Sequence, residues 1–315
     1  MTAKAAATRE ALGPTLIRLR RQGLDIVVVD ADLGGSTTAR EFGKAFPERF
    51  FAVGVAEQNM VNVAAGLAAT GKTVFISTFA VFAPGRCFDQ IRLGIAQPRQ
   101  NVKLVGSHAG IITGEDGASA HAIDDLALML SLPGFRVIVP ADLVEAEQAI
   151  EVAARTPGPF YVRCVRPKTP VIYDESHKFQ LGKAHLTRPG RDVTVMAIGV
   201  MVWKALEAAE LLASQGIDCR VLNMASLKPL DVEAVLAAAR ETGAIVTAED
   251  HLVHGGLASV VAQTLALHQP TPMAFIGMQD QYAVSGRWDQ LLEHYGLTAE
   301  KIAEAARSVL ARKKG

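Results

Sequence analysis

The sequence predicts an α/β protein with two domains, each built on a largely parallel sheet. Short apolar runs alternate with helix-length amphipathic segments along the whole chain. Most of those runs lack a two-residue alternation, as strands covered on both faces do. The chain also has 315 residues, more than one hydrophobic core ordinarily holds.

The first strands are expected at IVVVD (26–30), RFFAVGV (49–55), TVFIS (73–77), NVKLVGS (101–107), RVIVP (136–140) and FYVRC (160–164). A helix is expected over EQNMVNVAAGLAAT, with Met60, Val63, Ala64 and Leu67 on one face. Residues 1–165 thus read as a doubly wound domain with right-handed crossovers. From 166 to 190 the texture changes: Pro167, Pro170 and Pro189 interrupt a polar stretch without periodicity, and this segment reads as a linker. Residues 191–315 read as a smaller α/β domain, with strands at DVTVMAI (192–198), DCRVLN (218–223), AIVTAED (244–250) and PMAFIG (272–277).

Composition narrows the function. Half of the residues are hydrophobic and the mean hydropathy is +0.21, so burial between subunits is a natural outlet for apolar surface. The 32 basic and 32 acidic residues balance, and no basic block is present, so no nucleic-acid partner is expected. Cys87, Cys164 and Cys219 are scattered, without the pairing of a zinc site or a disulfide framework. The opening MTAKAAATREALG lacks the apolar core of a signal peptide, and no apolar run has membrane-spanning length. The expectation is a soluble, cytoplasmic protein. Neither G-x-G-x-x-G, G-x-x-x-x-G-K-[ST] nor G-x-S-x-G occurs, so the common nucleotide and serine-hydrolase fingerprints are missing.

In open parallel sheets ligands bind beyond the carboxyl ends of the strands. Asp30, Asp32 and Ser36 follow the first strand, Glu57 the second, Phe79 and Phe82 the third, and His108 the fourth; the loop GEDGASAH (114–121) comes soon after. Each has a plainer reading. Glu57 suits the dipole of a helix N-terminus, Phe79 and Phe82 have the spacing of a helical core stripe, and Asp116-Gly117 is an ordinary turn. His108 alone reads as a structural histidine, and Arg9 as a solvated charge. Their gathering at one predicted edge favours a site.

The segments GVAEQNMVNVAAGLAATGKTVFISTFAVFAPGRCFDQIR and SHAGIITGEDGAS resemble the pyrimidine-binding domain of transketolases. The resemblance continues through RPKTPVIY to EDHLVHGGL and VSGRWDQLLEHYG, and so covers essentially the whole chain. It implies a thiamine-diphosphate enzyme. Glu57 matches the glutamate that bonds N1′ of the cofactor's aminopyrimidine, the contact that lets the neighbouring amino group take the thiazolium proton. Burial away from water favours the protonated form of such a carboxyl group. Phe79 and Phe82 match aromatics packed on the pyrimidine, and Asp32 a residue near the thiazolium. Arg9, Ser36 and Arg166 match the sugar-phosphate site, where guanidinium groups suit a dianion. His108 and Asp116 match groups that contact the sugar hydroxyls and the phosphate end. One departure concerns the position after GEDGAS, where relatives carry His or Gln: here it is Ala120, with His121 one residue later. This leaves the donor ketose undetermined.

The family holds its diphosphate and Mg²⁺ through a G-D-G…N motif on another domain, and the sequence contains no GDG tripeptide. The resemblance therefore implies a partner, an N-terminal transketolase subunit with the diphosphate-binding domain, in an α2β2 heterotetramer with the active site shared. A piece of a longer chain would read identically. The expected reaction is transfer of a two-carbon ketol unit from a ketose phosphate to an aldose phosphate, in the pentose phosphate pathway. The alternatives are the β subunit of a 2-oxoacid dehydrogenase E1 component and a non-catalytic regulatory subunit. His251 and His254, beside Glu249 and Asp250, are a weak metal signal for want of a third ligand at standard spacing.

Overall fold

A computed structural model describes residues 4–313. The strands are β1 (Ala5–Ala6), β2 (Ile26–Asp30), β3 (Phe50–Ala52), β4 (Thr73–Phe79), β5 (Val102–Ser107), β6 (Arg136–Ile138) and β7 (Phe160–Arg163). After these come β8 (Thr169–Pro170), β9 (His185–Arg188), β10 (Val193–Ala197), β11 (Cys219–Asn223), β12 (Ser226–Lys228), β13 (Ile245–Leu252) and β14 (Met273–Met278). The fold is mixed α/β with a parallel-sheet first domain and a smaller second α/β domain, as the sequence predicts. The first sheet has the order β12-β6-β7-β5-β4-β2-β3, parallel except for β12. All five residues of β2 are buried, because helices cover both faces of a central parallel strand. The order reverses at β2, whose neighbours are β3 and β4, and in open parallel sheets such a switch point is where ligands bind, beyond the strand's carboxyl end.

The helix after β3 runs Glu57–Ala69 and buries Glu57, Met60, Val61, Ala64 and Ala68. Its inward face is therefore turned from the expected one: Val63 and Leu67 lie half-buried at its flank. The small residues Ala64 and Ala68 bring the helix backbone close to the sheet, and the bulkier pair fits only at the side.

The second sheet has the order β14-β13-β10-β11-β9, with β9 antiparallel at its edge. The 166–190 segment contains two strands: β8 pairs with β1, and β9 joins the second sheet. β12 leaves the second domain and pairs with β6 of the first sheet. These strands are short and lack an apolar run, so tertiary pairing rather than local pattern makes them.

A buried polar network joins the domains behind the crevice. Arg163 Nε donates to Asp125 (2.8 Å), and its Nη2 donates to the carbonyls of Ala122 (3.0 Å) and Asp250 (2.8 Å). Asp250 Oδ1 accepts from the Ile111 N–H at 3.1 Å. Glu249 accepts from the N–H groups of Leu257 and Ala258, capping the helix Leu257–His268. His251 is fully engaged: Nε2 accepts from the Leu126 N–H and Nδ1 donates to the Leu252 carbonyl. His254 is exposed. Among the described residues no group of three or more His, Cys, Asp or Glu could hold a metal ion.

Candidate functional site

Most of the candidate site residues occupy strand ends and the loops just past them, because in a parallel sheet every strand delivers its next residue to the same edge. Arg9 instead lies in the short helix Thr8–Ala11. Glu57 opens its helix and is only 3% exposed. Its carboxylate accepts from Arg86 Nη1 at 2.9 Å. The Arg86 carbonyl in turn accepts from Gln58 Nε2 at 3.2 Å, tying the Phe82–Arg86 turn to the helix. That turn is π-helical, a form that concentrates at functional sites.

Phe79 ends β4 and Phe82 starts the π-turn, so their three-residue spacing is not a helical stripe. The two rings stack with centroids 5.6 Å apart and 13° between planes. The Arg86 guanidinium lies over the Phe82 ring, 4.8 Å from its centroid. His108 stacks on Phe79 at 3.8 Å and 21°. Phe79 and Phe82 are both partly buried, and the Arg86 side chain that covers Phe82 is 50% exposed.

His108 is held in a left-handed backbone conformation (φ 56°). Its carbonyl accepts from Thr113 Oγ1 (2.6 Å), and Nδ1 lies 2.7 Å from Ser107 Oγ. Burial, helped by the positive charges of Arg9 and Arg166, lowers its pKa to about 3. The imidazole is therefore neutral at physiological pH and can offer hydrogen bonds without carrying charge.

Beside this group lies a cationic cleft. Arg9 donates through Nε to the Arg166 carbonyl at 3.3 Å and through Nη1 to the Ser36 carbonyl, so it is an anchored group and not a solvated charge. The Ser36 contact is made by its backbone. Arg166 donates to the Thr113 carbonyl (2.9 Å) and to Asp116 Oδ1 (3.2 Å). A cavity of about 340 Å³ is lined by Arg9, Thr113, Glu115, Arg166, Lys168 and Trp288, among others. Among the described residues neither Arg9 nor Lys168 has a carboxylate partner, which leaves two cations facing the cleft.

Asp32 is exposed, left-handed (φ 65°) and 3.9 Å from Arg40. Asp30 is buried beneath it, and burial raises its pKa. His121 is buried, with Nε2 bonded to the Gly114 carbonyl at 3.0 Å, and it braces the base of the loop without lining the cleft. Burial lowers its pKa too. Ala120 is buried at 8% exposure.

Four residues of the candidate site are not singled out by the sequence: Arg86, Ser107, Lys168 and Trp288. Arg86 follows Pro84-Gly85 and Lys168 follows Pro167, so a basic residue just after a chain-breaking residue is the available signal. Trp288 comes from the second domain, and only the tertiary fold brings it to the first.

Two family models match the chain: the transketolase pyrimidine-binding domain over residues 4–171, and the transketolase C-terminal domain over residues 182–302. The chain is 44% identical over 288 residues to a 6-deoxy-6-sulfo-D-fructose transketolase subunit from Clostridium sp. (strain MSTE9), covering 91% of this chain and 89% of that one. It is 38% identical over 301 residues to an apulose-4-phosphate transketolase subunit of Phocaeicola vulgatus, covering 95% and 96%. Its fold matches a solved split-gene transketolase, described as an inactive β4 tetramer, with a TM-score of 0.90, 46% identity, and 98% and 100% coverage.

Proposed function

Because the chain belongs to the transketolase family, as a subunit carrying its pyrimidine-binding and C-terminal domains, we propose that it completes a thiamine-diphosphate site shared with an N-terminal, diphosphate-binding subunit. The assembly transfers a two-carbon ketol unit from an anionic ketose to an aldose phosphate. Bound thiamine diphosphate supplies the carbon nucleophile for breaking and remaking the ketose carbon–carbon bond.

The observation that carries this reading is the buried carboxylate of Glu57 next to the stacked Phe79–Phe82 pair. The residues fit the pyrimidine end of the cofactor: a carboxyl group for a ring nitrogen, and aromatic faces for a flat ring. Glu57 holds the proton at N1′, Phe79 and Phe82 orient the ring, and Asp32 lies toward the thiazolium. The Mg²⁺ ligands belong to the partner chain, in an α2β2 assembly.

Neutral His108 serves the substrate hydroxyls and the proton at the reacting oxygen. Arg9, Arg166 and Lys168 bind the anionic end, with Ser36, Asp116 and His121 shaping its surroundings. The two sugar-specific relatives act on a sulfonated and a phosphorylated sugar, and a cleft with two unpaired cations suits either anion. This charge favours a phosphosugar over a 2-oxo acid.

The test compares the chain alone with the chain plus the N-terminal subunit, each given thiamine diphosphate and Mg²⁺. Ketol transfer to ribose 5-phosphate is expected only from the mixture, with none to a lipoyl acceptor. Transfer to the lipoyl acceptor instead would favour the 2-oxoacid dehydrogenase reading.

A further inference from the structure

We infer that Arg86 is a placeholder in the pyrimidine seat, a side chain that fills the cofactor's position in the unloaded subunit and is displaced when the cofactor binds. The inference rests on the proposed cofactor site and extends it to the arginine that now occupies that site.

Two contacts coincide. Arg86 Nη1 donates to Glu57 Oε2 at 2.9 Å, and the same guanidinium lies over the Phe82 ring at 4.8 Å. A pyrimidine that bonds Glu57 and stacks on Phe82 claims both partners. Guanidinium is itself a flat, nitrogen-edged group that stacks on aromatic faces and pairs with carboxylates, so it reproduces the contacts of the ring it stands in for.

The physical need for a placeholder follows from burial. Glu57 is 3% exposed, and a buried carboxylate without a partner is costly. Arg86 supplies that partner while its own side chain stays half in solvent, so its withdrawal costs little. The Gln58 bond to the Arg86 carbonyl fixes the backbone of the turn and leaves the side chain to do the moving. Nearby Arg92 is already paired, with Asp89 at 2.7 Å.

The experiment titrates thiamine diphosphate, with Mg²⁺, into the reconstituted two-subunit assembly and follows tryptophan fluorescence. Arg86→Met keeps the apolar stem and removes the charge; Arg86→Lys keeps the charge and removes the flat stacking group. Both variants should bind thiamine diphosphate more tightly than wild type, Arg86→Met by about two- to fivefold, the scale of one partly exposed ion pair. In the isolated chain Arg86→Met should lower the unfolding temperature, and Glu57→Gln in the same background should restore it, because an amide needs no counter-charge. If Arg86→Met fails to fold, tighter binding by Arg86→Lys carries the test. Equal or weaker binding in the variants, with wild type binding normally, overturns the placeholder and leaves the cofactor site standing. Absence of binding by the wild-type assembly removes both.

Discussion

At the scale of single residues, charge and burial decide what each group can do. Arg166 donates to the Thr113 carbonyl and to Asp116, which fixes the direction of its guanidinium, and the proposed role is to bind the anionic end of the substrate. Losing one charge-assisted contact costs about 1.5–3 kcal/mol, so Arg166→Ala should raise KM for phosphorylated substrates by about 10–100-fold. An unphosphorylated aldehyde such as glycolaldehyde should be much less affected. Steady-state kinetics of the assembled enzyme on both substrates checks this, and equal losses would mean that Arg166 only supports the loop. His108 is neutral at physiological pH because it is buried and faces two arginines. Its folded pKa lies below the ordinary 6.5. It therefore contributes stability that is present above about pH 6.5 and is lost as the pH falls through the folded value of about 3. His108→Gln should flatten that acid limb of the pH–stability profile, measured by denaturant unfolding.

Elements place these residues, and their legibility depended on how local their causes are. Gly110, with φ 72°, lets the loop after β5 pass directly over Asp250: an added Cβ would lie 1.7 Å from Oδ2. Gly110→Ala should cost more than about 2 kcal/mol, from backbone strain and a carboxylate that must move. Gly71 also has positive φ (90°) but has nothing within 4 Å, so Gly71→Ala should cost only about 1 kcal/mol. Denaturant unfolding of the two variants checks the difference, and equal losses would remove the role of crowding. The central strands were legible because IVVVD and its neighbours are buried on both faces, and local apolarity records that burial directly. β9 and β12 were not, since HLTR and SLK pair only where the finished sheets offer an edge. The helix Glu57–Ala69 was legible as a helix, but its buried face was misjudged by weighting Val63 and Leu67 over Val61 and Ala68. For the candidate site, strand-end placement points to Glu57, Phe79, Phe82 and His108, and the family resemblance alone adds Arg166. Arg86 and Trp288 owe their places to a π-turn and to the other domain, neither of which leaves a periodic mark.

At the scale of the whole molecule, the second domain supports the site from behind. Asp250 holds the Ile111 N–H, and so the loop that carries Thr113 and Asp116. Burial raises the Asp250 pKa from 3.8 to about 7, against the opposing charge of Arg163. With its folded pKa above the unfolded one, its contribution is full below about pH 4 and is lost as the pH rises through about 7. The unfolding temperature of Asp250→Asn, measured against wild type, should therefore gain steadily from pH 4 to 7; a constant difference would contradict the buried, protonated carboxyl group. The larger claim is that this chain supplies only the pyrimidine half of a catalytic centre whose other half is on a partner, and that Glu57 is the group through which it acts. The most direct measurement is deuterium exchange at C2 of thiamine diphosphate bound to the reconstituted assembly, wild type against Glu57→Ala. The account predicts intact assembly and exchange slowed by about 10²–10⁴-fold in the variant, the range of positioned proton transfer. Exchange at the wild-type rate in Glu57→Ala, or turnover by the isolated chain with thiamine diphosphate and Mg²⁺, would contradict it.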